Sequence, residues 1–201
     1  MAFTGNTTNV VLPSPKNLPT IGGLYKVPIG MAIPTAIVPA ITTTYSTAKL
    51  LGFIAEDGIK FDENRPTTKI YAWGSDIVAN PQQSFDETMA FTLLEFLNAD
   101  AAAAAYGSSN VTKTVADSTH GNRLSISVTS DALDTSAWIV DTFSPGGKRI
   151  QFYIPLGQIT NKGTATMNNK TVLSHELTCE MFPDSNGKYK YILTDDGQLS
   201  A

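Results

Sequence analysis

Apolar residues recur at every second position in several separate runs of this chain, and that alternation restricts it to sheet structure with one buried side. In Ser84 to Leu94, Phe85, Met89, Phe91 and Leu93 are apolar while Ser84, Asp86, Thr88 and Thr92 are polar; Glu87 interrupts the apolar face. Thr171 to Phe182 is a second long run, with Leu173, His175, Leu177, Cys179 and Met181 on one side. Leu124, Ile126 and Val128 alternate with Ser125, Ser127 and Thr129. Ala137 to Phe143 and Lys148 to Ile154 read as a hairpin around Ser144-Pro145-Gly146-Gly147. Lys49 to Ala55 and Ile59 to Phe61 read as another, around the turn signal Glu56-Asp57-Gly58. Thr67 to Trp73, Ile159 to Met167 and Tyr189 to Leu193 complete the strands, the last after an Asn186-Gly187 turn. One segment alone reads as helix: Asn98 as N-cap, Asp100 at the positive end of the dipole, Ala101 to Ala105, and Gly107 at the C-terminal stop. The expected fold is mainly β with one flanking α-helix, a β-sandwich or partial barrel that the helix caps on one side.

Two parts are expected along the 201 residues: an extended N-terminal arm over residues 1–48 and a single β-rich domain over 49–201. Residues 1 to about 20 are rich in Thr, Asn and Pro, and the apolar stretch that follows is broken by Pro28, Pro34 and Pro39, which deny ladder donors. Such an arm either tucks against its own domain or waits for a neighbour. Val27 to Ile41 is too short for the roughly 20 residues that span a bilayer. MAFTGNTTN has no basic segment followed by an apolar run, so no secretory signal is expected and the sequons at Asn6, Asn110 and Asn169 are discounted. Charged residues make up only 16% of the chain and the net charge is −4, which argues against a grip on nucleic-acid phosphates.

The residues that carry chemistry elsewhere are sparse here. Cys179 is the one cysteine, so neither an intrachain disulfide nor a cysteine-based zinc site is available. His175 sits on the apolar side of its strand and reads as a buried, hydrogen-bonded core histidine. His120 lies in the loop Asp117-Ser118-Thr119-His120-Gly121, where adjacency alone makes no triad. Cys179 and His175 are four residues apart on one strand, roughly 13 Å, too far for a direct hydrogen bond. Asp195-Asp196-Gly197 lacks the alternating ligands of a calcium loop and reads as a turn. No catalytic site, cofactor or metal is expected.

A more specific pattern runs from Gly52 to Gly107. It contains Glu56-Asp57-Gly58, then Arg65-Pro66-Thr67-Thr68, Ala72-Trp73-Gly74-Ser75-Asp76, Ser84-Phe85-Asp86-Glu87-Thr88, and a helix from Asn98 to Tyr106-Gly107. In order and spacing this resembles the major tail tube proteins of long non-contractile-tailed bacteriophages, over roughly Lys49 to Phe182. The resemblance implies a structural virion protein: hexameric rings that stack helically into a tube, inner sheets merging into one β-barrel, and DNA passing through the lumen without specific binding. It implies as partners further copies of the chain, on which the arm over residues 1–48 would pack, a tape-measure protein, and tail-tip and tail-terminator proteins, with assembly in the host bacterial cytoplasm and no membrane. The loop at Glu56 to Pro66 would reach a neighbouring subunit or ring through Asp57, Asp62, Glu63 and Arg65. Asp86, Glu176 and Glu180, on the polar sides of the two long strands, would face the lumen, where an acidic wall repels passing DNA. Competing readings are a ring protein of a contractile or secretion tube, and a carbohydrate-binding β-sandwich using Trp73, Trp138 and Tyr153 as exposed platforms. A hydrolase built on His120 or His175 is a remote third.

Overall fold

The computed structural model describes residues 9–15 and 23–198. Its main sheet follows the order β2 (Lys49–Leu50), β1 (Leu24–Val27), β9 (Ser136–Ser144), β10 (Lys148–Lys162), β11 (His175–Phe182), β6 (Asp86–Leu93) and β3 (Ile54–Asn64). A further strand, β12 (Tyr191–Asp195), pairs with β10 beside that path, and every pairing in the sheet is antiparallel. The first half of β10 lies between β9 and β12, and from Leu156 onward it pairs with β11 instead. The change-over is an irregularity between Ile154 and Gly157. A Cβ at Gly157 would sit 2.7 Å from Cys179 Sγ and 2.9 Å from the Trp138 ring, so only glycine lets the three strands approach this closely.

Alternation along the strands builds two cores, one on each side of this sheet. The larger contains Leu24, Met89, Phe91, Leu93, Trp138, Val140, Ile154, Leu177 and Met181. Its strands curl around it. Phe61 on β3 stacks on Phe152 of β10 at 4.8 Å, and Phe91 on β6 meets Trp138 on β9 at 5.9 Å, although other strands separate each pair along the sheet. The architecture is therefore a mainly β sandwich or partial barrel, as expected. The helix α2 (Ala99–Tyr106) packs on this core through Ala101, Ala104 and Ala105, whose short side chains let its backbone lie close. The Asn98 side chain caps it by accepting from the Asp100 and Ala101 N–H groups, and the chain leaves at Gly107 with φ 91°.

The second core lies over the opposite side of β1, β9, β10 and β12. It contains Tyr25, Val27, Ala137, Ile139 and Tyr153, covered by Val38 and by Ile41 in the single-turn helix α1 (Ile41–Thr44). A buried polar network fastens this cover. Gln151 Nε2 donates to the Val38 carbonyl and Asp141, while Gln151 Oε1 accepts from the Val38 N–H and the Tyr153 hydroxyl, all between 2.7 and 3.0 Å. Arg149 binds Asp141 through two nitrogens and donates to the Pro39 carbonyl at 3.0 Å. Each buried polar atom of Gln151 thus has a partner, which is what makes the burial tolerable.

Several elements differ from the reading of the sequence. Glu56-Asp57-Gly58 is not a hairpin turn. β3 runs through it, and both flanks pair with β6: Ile54 opposite Leu93 and Ile59 opposite Phe91. The intervening residues form a bulge, with Gly58 at φ 72°. Within the expected arm, β1 pairs with β9 throughout its length and Val38 is clamped as described, so residues 23–48 pack at least in part on their own domain. Residues 1–8 and 16–22 of the expected arm lie outside the described residues. A small hairpin of β7 (Val111–Thr114) and β8 (Arg123–Ile126) stands apart from the main sheet.

Replacing Gln151 by Leu would leave the Val38 amide, the Val38 carbonyl and the Tyr153 hydroxyl without their shared partner. The expected cost is about 2–4 kcal/mol in denaturant unfolding, with limited proteolysis cutting first near Val38.

Candidate functional site

Pairing register brings the expected polar residues together. In antiparallel ladders, directly opposed residues share a face. One row joins Glu180 on β11, Thr88 on β6 and Asp62 on β3; the next joins Thr178, Ala90 and Lys60. Glu176 stands opposite Thr92, and Asp86 opposite Asn64. Gln158 and Asn161 of β10 continue the rows from Glu180 and Thr178. Asp86, Glu176 and Glu180 therefore share one face of a four-strand unit, with Asp62 joining them. Apart from Leu156 and Phe182 at one end, its side chains are small or polar, and its carboxylates outnumber its single ammonium, Lys60. No apolar layer of the described chain covers this face, unlike the opposite one.

The second feature is a ribbon that projects from the end of β3 and returns into β6. Every residue from 62 to 84 is exposed. Within the ribbon, Gln83 N donates to Pro66 O at 2.8 Å, Thr67 bridges Gln82, Thr68 N donates to Pro81 O at 3.1 Å, and β4 (Ile70–Tyr71) pairs with β5 (Ile77–Ala79). Ala72 to Asp76 close the tip, with Ala72 N donating to Asp76 O at 2.8 Å and Ser75 at φ 74°. From Pro66 to Trp73 the ribbon reaches on the order of 20 Å at about 3.3 Å per residue. It has no core of its own, yet it carries Ile70, Tyr71, Ile77 and Val78, each about half exposed or more, and Trp73 at 106%.

Its base is held firmly. The Arg65 guanidinium lies 4.4 Å from the Phe85 ring centre and bonds Glu63 at 2.7 Å. Phe85 meets Tyr189 edge-on at 4.6 Å. The neighbouring Lys190 ion-pairs with Glu87, whose burial inside the apolar face is thereby accounted for, and sits 5.1 Å from the Phe61 ring.

The family model described as phage tail tube protein matches residues 6–200. The chain belongs to the phage tail tube protein family. The match takes in the N-terminal stretch that the sequence motifs left uncovered, and a search of the curated proteins finds no match. This is a structural tail tube protein.

Of the loop residues expected to reach outward, Asp57 lies exposed on the bulge. A hydrogen bond from Lys60 at 2.7 Å, with its charge, holds the Asp57 carboxyl below the usual carboxylate range. Asp62 is on the polar sheet face, and Glu63 and Arg65 pair at the ribbon base. The structure thus spreads these four over three features, and the projecting element begins where they end. Sequence reading missed Ile70, Tyr71, Ile77 and Val78 as a surface. Their signal was an apolar run on both strand faces around the turn-forming Gly74-Ser75-Asp76.

The chemical alternatives find no support in the geometry. Trp138 and Tyr153 are 1% and 0% exposed, so two of the three platforms of the carbohydrate-binding reading lie in the core. Cys179 is buried, and that burial pushes its thiol up to about 12, where it is not a nucleophile. The Asp117 carboxylate beside His120 is committed to a turn, accepting from the Thr119 and His120 amides at 2.8 Å and from Arg123 at 2.7 Å. Asp195 and Asp196 each accept the amide two residues on, as a turn requires. Among the described residues, no cluster of His, Cys, Asp and Glu could hold a metal ion.

His175 is fully buried, beside the Phe96 backbone, whose weak hydrogen bond partly offsets the cost of charging the ring. Its ring lies 4.6 Å from that of Phe96 and 5.6 Å edge-on to Tyr106, and neither nitrogen makes a hydrogen bond of good geometry among the described residues. Burial, reinforced by the Lys162 ammonium, lowers its pKa from 6.5. The folded state thus favours the neutral ring, and the unfolded chain binds the proton first. Its contribution to stability is complete above about pH 6.5 and is lost as pH falls toward the lower folded-state value. Urea unfolding between pH 7.5 and 5 should show this loss, and His175→Phe, which keeps a stacked ring without a titrating group, should remove that component. An unchanged pH slope in the variant would refute the assignment.

Proposed function

We propose that this tail tube protein assembles into hexameric rings that stack into a hollow tube, with the polar face of β10, β11, β6 and β3 lining a channel for DNA. The observation that carries this reading is the uncovered four-strand face bearing Asp62, Asp86, Glu176 and Glu180. A lone subunit gains little from such a wide polar sheet. A closed ring turns it into a smooth wall whose carboxylates keep phosphates from sticking. The ribbon supports a second contact, between stacked rings or adjacent subunits, because its exposed apolar residues bury nothing at home. Nucleation by tail-tip and tape-measure proteins and closure by a terminator would set the length, since a head-to-tail contact has no stop of its own. Assembly would take place in the host bacterial cytoplasm, and the finished protein would reside in the virion tail.

Electron microscopy of concentrated purified protein tests this directly. Hollow tubes of stacked six-fold rings, with Glu176 and Glu180 on the channel wall, are expected; either residue on the outer surface would overturn the lumen assignment. A ribbon variant carrying Tyr71→Ser and Trp73→Ser should fold with unchanged unfolding stability, to within about 0.5 kcal/mol. It should nevertheless lose tube formation at concentrations where the wild type assembles. Full assembly of this variant would remove the ribbon from the contact.

A further inference from the structure

We infer that Asn186 is a site of covalent ageing that the fold holds closed: the turn centred on Asp184 keeps the Gly187 amide from attacking the Asn186 side chain. The inference is independent of the tube reading. The chemistry is internal to the chain. The deprotonated Gly187 nitrogen bonds to Asn186 Cγ, the Cγ–Nδ2 bond breaks, ammonia leaves and a cyclic imide remains. Water then opens the imide at either carbonyl. One product is aspartate at 186; the other is isoaspartate, whose backbone runs through Cβ and is longer by a methylene.

Sequence and exposure supply the reactants. Asn186 is the only asparagine in the chain that precedes glycine, and asparagine is among the thermolabile residues. Without a Cβ, glycine lets its nitrogen come close to the neighbouring side chain. Both residues are exposed, and nothing lies within 4 Å of the position a Cβ would take on Gly187. Water therefore reaches both groups.

The turn withholds the nucleophile. Gly187 N donates to the Asp184 carbonyl at 2.9 Å, and Asp184 N donates to the Lys188 carbonyl at 2.9 Å. Asp184 Oδ1 accepts from the Asn186 amide at 2.8 Å and from the Lys188 amide at 3.0 Å. Its Oδ2 accepts from the Tyr191 hydroxyl at 2.6 Å, which ties the loop to β12. Attack requires the Gly187 nitrogen to give up its proton and swing toward Asn186 Cγ. That movement breaks its own hydrogen bond and disturbs the amides on either side, which share one carboxylate oxygen. The reaction thus proceeds from the opened turn, at a rate set by how often the turn opens. Conversion is also one-way. Isoaspartate at 186 does not return both amides to Asp184 Oδ1, and either product sets a second carboxylate near Asp184. Tyr189 and Lys190 follow directly and hold Phe85 and Glu87 at the ribbon base, so ageing here loosens that anchor.

Peptide mass spectrometry after prolonged incubation at mildly alkaline pH tests this, following the amide-to-acid mass gain and the isoaspartyl linkage at each asparagine. In urea-unfolded protein, Asn186 is expected to convert fastest. In the folded protein its conversion should be slower by roughly tenfold or more, as protection against local opening requires. Asp184→Ala removes the shared acceptor and should bring the folded rate to within about threefold of the unfolded one. Asp184→Asn keeps an oxygen at the Oδ1 position and should retain the slow rate. Amide exchange in β11 and β12 checks that each variant is folded. If Asp184→Ala does not fold, the folded and unfolded wild type and Asp184→Asn decide the matter. Folded wild type converting as fast as the unfolded chain overturns the inference, as does folded Asp184→Ala converting as slowly as wild type. Asp184→Asn converting at the unfolded rate overturns the clamp, and a different asparagine converting first in urea overturns the choice of site.

Discussion

The close approach of β9, β10 and β11 at Gly157 is the constraint on which the rest of the structure depends. There the Trp138 indole donates to the Gly157 carbonyl at 3.1 Å, and Cys179 closes the space where a side chain would stand. One strand can then serve two layers. Before the bend, β10 carries Gln151 and Tyr153 into the core beneath residues 28–45; after it, β10 borders the polar sheet with Gln158 and Asn161. The apolar face continues through the bend, from Ile154 to Ile159, so the larger core is not divided.

Stability is distributed to match this division. Two apolar cores and the buried Asp141–Arg149–Gln151 network make a stiff body, because each polar atom of that network has a fixed partner. The ribbon has only its own ladder and the Arg65–Phe85–Tyr189 anchor at its base. A two-stranded ribbon is marginal alone, so its apolar tip gains order when it finds a surface. A rigid wall with compliant contacts suits a conduit, which must hold its bore while neighbours fit together.

Much of the fold was legible in the residues, for identifiable reasons. Met89, Phe91, Leu93 and Leu177, Cys179, Met181 follow a period of two, and a half-buried strand leaves no other arrangement for them. Asn98 and Gly107 mark the ends of α2 because capping is local chemistry. The bulge at Glu56-Asp57-Gly58 was not legible: an Asp-Gly step serves a tight turn and a bulge alike, and β6, distant in sequence, decides which forms. Nor was β1, because prolines nearby obscure a strand of only four residues. Asp86, Glu176 and Glu180 could each be given a strand side from sequence, but their common face required the register of β6 against β11.

By itself, then, the sequence determined which residues turn inward, where the single well-capped helix begins and ends, and to which family the chain belongs. These follow from short-range periodicity, capping and a run of ordered motifs, all carried by neighbours in the chain. Tertiary structure alone decided that residues 23–48 pack at least in part on their own domain and that β3 passes through a bulge. Those outcomes depend on pairings between residues well separated in the chain, from Ile54 with Leu93 to Val38 with Gln151. No local pattern encodes them, because the energy that selects them exists only once the sheet has closed.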